Sequence, residues 1–194
     1  SILLTIVALI IWSYSITQAK LKIGFYGLIH SFPEIFFVAL SILTIASAIL
    51  WTSKERQEKL LLLQLCFLVI SLWLSPLIVG GSQPSPGSAY HFSNLTEHIV
   101  REGHFYQEAH MHYNWPGALI LYATLTEVLG DLSHLNTMVK LAPFLLQLSF
   151  LPFIYLFLRN MLGENRKNWC WAGLWIFELG NWLSQSYLSE QSIG

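Results

Sequence analysis

Apolar residues in this chain come in unbroken runs separated by short polar breaks, and the run lengths carry the structural signal. Five runs approach the ~20 residues needed to cross ~30 Å of hydrocarbon. They cover residues 1 to 18, 33 to 52, 60 to 79, 141 to 158 and 168 to 184, and each predicts a membrane-spanning helix. A sixth run, Pro116 to Gly130, has 15 residues and contains Glu127. It opens on a proline suited to the first turn of a helix, and its length suits an interfacial or buried helix better than a span.

Between the third and fourth spans lies a long polar loop, Gly80 to Lys140. It opens with the Gly/Pro/Ser-rich stretch Gly80 to Ser88, which reads as irregular chain. Asn94-Leu-Thr-Glu97 then has the pattern of a helix N-cap with Glu at the third helical position, and Gly103 supplies a stop. The expectation is a short helix over 95 to 102. Tyr106, Tyr113 and Trp115 suit a membrane boundary, where amphipathic rings are favoured.

Lys and Arg near span ends are enriched on the cytoplasmic side. If 116 to 130 stays on the outer surface, Lys54, Arg56, Lys59, Arg159, Arg166 and Lys167 all fall inside. Lys20, Lys22, Arg101 and Lys140 then fall outside. A crossing at 116 to 130 would set the two densest basic loops on opposite sides, so five spans are expected. All seven histidines, His30, His91, His98, His104, His110, His112 and His134, then lie on the outer face.

Composition agrees: 54% of residues are hydrophobic and 11% charged, against about a quarter charged in soluble domains. The net charge of −1 provides no clustered basic face for nucleic acid. Cys66 and Cys170 fall inside apolar runs and read as small hydrophobes. Residues 1 to 18 lack the basic start and small-residue cleavage site of a secretory signal. The chain begins inside an apolar run and stops at Gln191 to Gly194 without a polar tail, which predicts a piece of a longer protein.

Tyr90-His91, Thr96-Glu97-His98-Ile99 with Gly103, and Tyr113-Asn-Trp-Pro-Gly117 together resemble the first external loop of prokaryotic membrane proteins related to the GT-C glycosyltransferases. Asn181-Trp-Leu-Ser-Gln-Ser-Tyr-Leu-Ser-Glu-Gln191 is similar to a segment those proteins write Asn-Trp-x-x-Gln-Asp-Tyr-Phe-Ser-Pro-Gln, and Gly27-Leu-Ile-His30 followed by Pro33 looks like their first external turn. The resemblance implies transfer of a sugar from a polyprenyl-phosphate donor to an acceptor on the outer face. It also implies that the external loop meets the segment after the next two spans, which needs an even number of crossings between Trp115 and Gln185. The chain departs from the pattern at Ser186, where the family has Asp, and at Glu190, where it has Pro. Glu190 is then the residue left to supply an acidic role there.

Such a transfer needs a carboxylate to take the acceptor's proton and groups that stabilise the departing phosphate. Glu97 and Glu108 are the candidate catalytic residues. The competing reading of Glu97 is the capping box, and that of Glu108 a solvated loop carboxylate. His91, His110 and His112 are candidate phosphate binders. With Asn114, Trp115, Gln185, Tyr187, Glu190 and Gln191 they complete the expected substrate site. Glu108, His110 and His112 alternate, so an extended backbone would point them to one side, where they could hold a divalent metal. Glu178, inside the last apolar run, costs on the order of 2.5 to 3.5 kcal/mol to insert and should face protein or water. Asn94-Leu-Thr96 also matches an N-glycosylation sequon, with the cap as its structural alternative. The aromatic content, with eight Trp, reads as interfacial belts, or for Trp115 as a sugar-stacking platform.

The expected architecture is an all-α, polytopic transmembrane bundle of about five spans, with a long external loop carrying short juxtamembrane helices. Residues 1 to 79 hold three spans, 80 to 140 the loop, and 141 to 194 two further spans and the start of a second external segment. Expected partners are membrane lipids and the lipid-linked donor. A non-catalytic membrane subunit with the same fold and a transporter are the alternatives, the latter predicting broken helices or several intramembrane charges.

Overall fold

The structure, a computed structural model, describes residues 1–22, 28–53, 57–80, 88–104, 117–129, 133–163 and 166–185. All regular structure among them is helical: α1 (Ile2–Gln18), a 3₁₀ turn (Leu28–Ser31), α2 (Glu34–Thr52), α3 (Glu58–Val69), a π-helical turn (Ile70–Leu74), α4 (Ser75–Gly80), α5 (Ser88–Glu102), α6 (Gly117–Leu129), α7 (Ser133–Leu162) and α8 (Lys167–Gln185). Three helices are long and apolar enough to cross a membrane: Glu34–Thr52, the continuous stretch Glu58–Gly80, and Thr137–Leu162. At ~1.5 Å per residue α6 reaches about 20 Å, short of the ~30 Å hydrocarbon core.

Local chemistry sets several helix ends. Pro33, extended at φ −68° and ψ 158°, precedes α2, and Glu34 follows in the first turn, where its charge complements the helix dipole. Gly103 (φ 70°) stops α5 and Gly163 (φ 76°) stops α7, each in the left-handed region that glycine enters without a Cβ clash. Their N–H groups cap the carbonyls of Ile99 and Arg159 at 2.9 and 3.0 Å.

The described helices form two compact units, one drawn from Ser1–Val79 and the chain from Phe144 onward, the other from Gly80–Pro143. In the first, Phe36, Leu43 and Leu50 of α2 pack with Leu61, Leu65 and Leu68 of α3 and with Trp171, Leu174, Trp175 and Trp182 of α8. The outward faces carry Leu3, Ile10, Ile45, Leu63, Phe153, Phe157 and Ile176, all exposed. Surface helices of a soluble domain put charge on that face; these present hydrocarbon, as helices in lipid do.

Polar side chains join the helices inside this apolar frame. Gln64 of α3 donates to Thr5 of α1 at 2.7 Å and accepts from Ser47 of α2 at 2.8 Å. Trp12 of α1 donates to Ser75 of α4, and Trp175 of α8 to Thr44 of α2, both at 3.1 Å. Trp73, Trp171, Trp175 and Trp182 are buried in this core, so the belt reading of the tryptophans is corrected for these four: their rings fill the bundle. Cys66 and Cys170 are free thiols, half-buried and buried.

In the second unit, Phe92 and Ile99 of α5 pack with Leu119, Tyr122 and Ala123 of α6 and with Leu135, Val139 and Ala142 at the start of α7. Phe92 and Tyr122 meet edge to face at 5.8 Å. The short helix expected over 95 to 102 is longer, beginning at Ser88. Asn94 is therefore an interior, exposed helical position, and the N-cap reading of Asn94 and the capping box of Glu97 are both corrected. Starting earlier brings Phe92 onto the buried face, and that packing outweighs the local cap pattern.

Candidate functional site

The polar face of α5 is the part of the expected site that the structure describes. Its buried stripe, Phe92, Thr96 and Ile99, recurs at the three- and four-residue spacing of one helical face. Thr96 is fully buried and its hydroxyl donates back to the Phe92 carbonyl at 2.9 Å. The opposite side carries exposed His91, Asn94, Arg101 and Glu102.

Glu97 is held by its own helix. Arg101 donates from Nη2 at 2.6 Å and from Nε at 2.8 Å to Glu97 Oε1, an i, i+4 pair on the helix surface. The Glu97 side chain stays 38% exposed, so the carboxylate is open to solvent while one oxygen engages the guanidinium. Beyond the helix end, His104 Nδ1 lies 2.8 Å from the Glu102 carbonyl oxygen.

Six residues separate His91 from Glu97, which sets them about 120° apart around the helix. His98, two turns after His91, shares its face. Helical spacing also sets Arg101 one turn after Glu97, legible once α5 is known to begin at Ser88. Glu108, His110, His112, Asn114, Trp115, Tyr187, Glu190 and Gln191 lie outside the described residues, as does the side chain of Gln185, whose backbone closes α8. The alternating Glu108, His110 and His112 proposed as metal ligands lie there too. Among the described residues no three His, Cys, Asp or Glu side chains gather as a metal site.

A second polar feature sits inside the first unit. Glu178 of α8 is 0% exposed, and its Oε2 accepts the indole N–H of Trp73 at 3.0 Å. Of the two expected surroundings, protein or water, that bond shows protein.

No protein-family model, no curated protein and no solved structure matches this chain. Its class rests on the fold: among the described residues all regular structure is helical, and three helices are long and apolar enough to cross a membrane.

Proposed function

We propose that this chain belongs to a multi-pass membrane glycosyltransferase of the GT-C type, which moves a sugar from a polyprenyl-phosphate donor to an acceptor on the extracytoplasmic face. In this reading α1, α2, the continuous α3 and α4, α7 and α8 cross the membrane. The segment from Gly80 to Lys140 lies outside, with α6 along the membrane surface. The observation that carries the reading is the Asn114-Trp-Pro-Gly117 block, which runs directly into α6. It is supported by α5, which turns Glu97 and His91 away from a core shared with that same helix.

Glu108 and Glu97 are the candidate bases or metal ligands, and His91, His110 and His112 the phosphate binders. Arg101, exposed on the same helix and paired with Glu97, adds a cation to that carboxylate. Asn114, Trp115, Gln185, Tyr187, Glu190 and Gln191 complete the proposed substrate site. The alternative, a non-catalytic subunit of the same fold, is favoured by Ser186 standing where the family pattern has Asp.

One assay separates the two. The protein in liposomes is given a panel of polyprenyl-phosphate hexoses together with an envelope extract as the source of acceptor hydroxyls, and release of polyprenyl phosphate is followed. Release that falls at least ~10²-fold in Glu108→Gln, as loss of a general base typically produces, supports the enzyme. No release with any donor leaves the subunit reading.

A further inference from the structure

Among the described residues, the apolar unit holds one fully buried carboxyl group, Glu178. Trp73 gives its Oε2 one hydrogen bond, and its Oε1 has no hydrogen-bond partner. An ionised carboxylate offers about four acceptor positions, and in low dielectric it persists where cations or several donors meet them. One neutral indole meets one of them here.

Glu178 apart, charged groups on the helix segments of this core stand in first or last turns. On α8 the nearest cation is Lys167, three turns earlier and about 16 Å along the axis. On α3, Glu58 and Lys59 stand about 21 Å or more before Trp73 by the same rise. α2 carries no Lys, Arg or His, and its acid, Glu34, is exposed in the first turn. α7, which packs on α8 through Tyr155 and Leu158, adds the Tyr155 phenol and, in its last turn, Arg159; the 3₁₀ turn beside Trp182 adds exposed His30, and α3 and α8 add the thiols Cys66 and Cys170.

The setting is built across both helices. Glu178 takes its bond from the π-helical turn Ile70–Leu74, a geometry concentrated at functional sites. One turn further along α8, Trp182 Nε1 donates to the Leu72 carbonyl of the same turn at 2.7 Å. Two indoles, one from each helix, thus close the α3–α8 seam around the carboxyl group.

We propose that Glu178 is a proton-binding site inside the bundle, carrying its proton on Oε1 while Oε2 accepts the Trp73 indole. Loss of that proton leaves an anion with a single neutral donor, so the seam must open or admit water to solvate it. Protonation of one residue thereby governs closure of α8 on the π turn. The proposal is independent of sugar transfer.

An apolar carbodiimide dissolves in the bilayer and reacts with a carboxylic acid: the acid proton moves to a carbodiimide nitrogen and the carboxyl oxygen bonds to the central carbon. In the membrane-embedded protein at neutral pH, peptide mapping should find this adduct at Glu178, with yield falling as pH is raised. A water-soluble carbodiimide should modify exposed Glu102 and leave Glu178 untouched. No adduct at Glu178, or equal yield from the soluble reagent, overturns the proposal. The mapping needs no variant. Where Glu178→Gln folds, the infrared difference spectrum should also lose one carboxylic-acid carbonyl band, and persistence of every such band counts against the proposal.

Discussion

The side-chain amide of Gln64 on α3 donates to the hydroxyl of Thr5 on α1 across 2.7 Å, in a setting where Gln64 is fully buried. Its carbonyl oxygen accepts from Ser47 on α2, so one residue fixes the relative register of three apolar helices. Apolar side chains slide past one another at little cost in lipid, whereas a paired amide has one position that satisfies it. Gln64→Leu keeps the volume and removes both bonds, leaving the buried Ser47 hydroxyl without its acceptor, while Thr5 keeps its bond to the Ser1 carbonyl. Interhelical hydrogen bonds in membranes are worth ~0.6 kcal/mol on average and up to about 2. The expected loss is about 1 to 2 kcal/mol, read from unfolding in mixed detergent micelles. An unchanged unfolding midpoint would show that the cluster does not hold the helices.

Gly173 of α8 marks a close approach to α7. A Cβ placed there lies 2.7 Å from Leu158 Cδ1 and 3.4 Å from Cδ2. Gly173→Ala gains up to ~1 kcal/mol of helix propensity against the movement of a flexible leucine end, so it should change stability by less than about 1 kcal/mol. Gly173→Leu overfills the contact and should cost about 1 to 3 kcal/mol. Leu158→Ala in the same chain should recover part of that loss, and failure to recover any would place the clash elsewhere.

The proposed topology depends on α6 staying at the surface while α7 crosses. Glu102 and Arg166 are both exposed, and single cysteines at these positions report on either side of that pair of helices. With Cys66 and Cys170 replaced by Ala, a membrane-impermeant thiol reagent should modify Glu102→Cys from outside intact cells. It should reach Arg166→Cys after permeabilisation alone. Modification of both from the same side would require α6 to cross.

Glu97 is tied to Arg101 on an open helix surface, where an i, i+4 pair contributes ~0.2 to 0.5 kcal/mol. Glu97→Gln should therefore leave the unfolding midpoint nearly unmoved. If Glu97 is the base in the proposed transfer, the same substitution should slow turnover ~10²- to 10⁴-fold. Arg101→Lys, which keeps the charge and alters the fork, should slow it less. Turnover of Glu97→Gln within about threefold of the parent would leave the ion pair as a surface feature and remove Glu97 from the mechanism.

The apolar runs determined where most helices lie, because a segment without polar side chains must satisfy its backbone internally. The expected 33 to 52, 116 to 130 and 168 to 184 correspond to Glu34–Thr52, Gly117–Leu129 and Lys167–Gln185, and Gly103 stops α5 as its lack of a Cβ suggests. The site was less legible. Asn94 and Glu97 matched a local cap, but the gain from burying Phe92 against Tyr122 is set by a helix 25 residues further on, and no local pattern contains it. Thr5, Trp73 and Leu72, which meet Gln64, Glu178 and Trp182, stand 59, 105 and 110 residues from them. The sequence determined that these polar groups sit in apolar helices; which donor meets which acceptor, and the π turn that presents Trp73 to Glu178, were decided by tertiary packing, since a hydrogen bond needs its partner within about 3 Å.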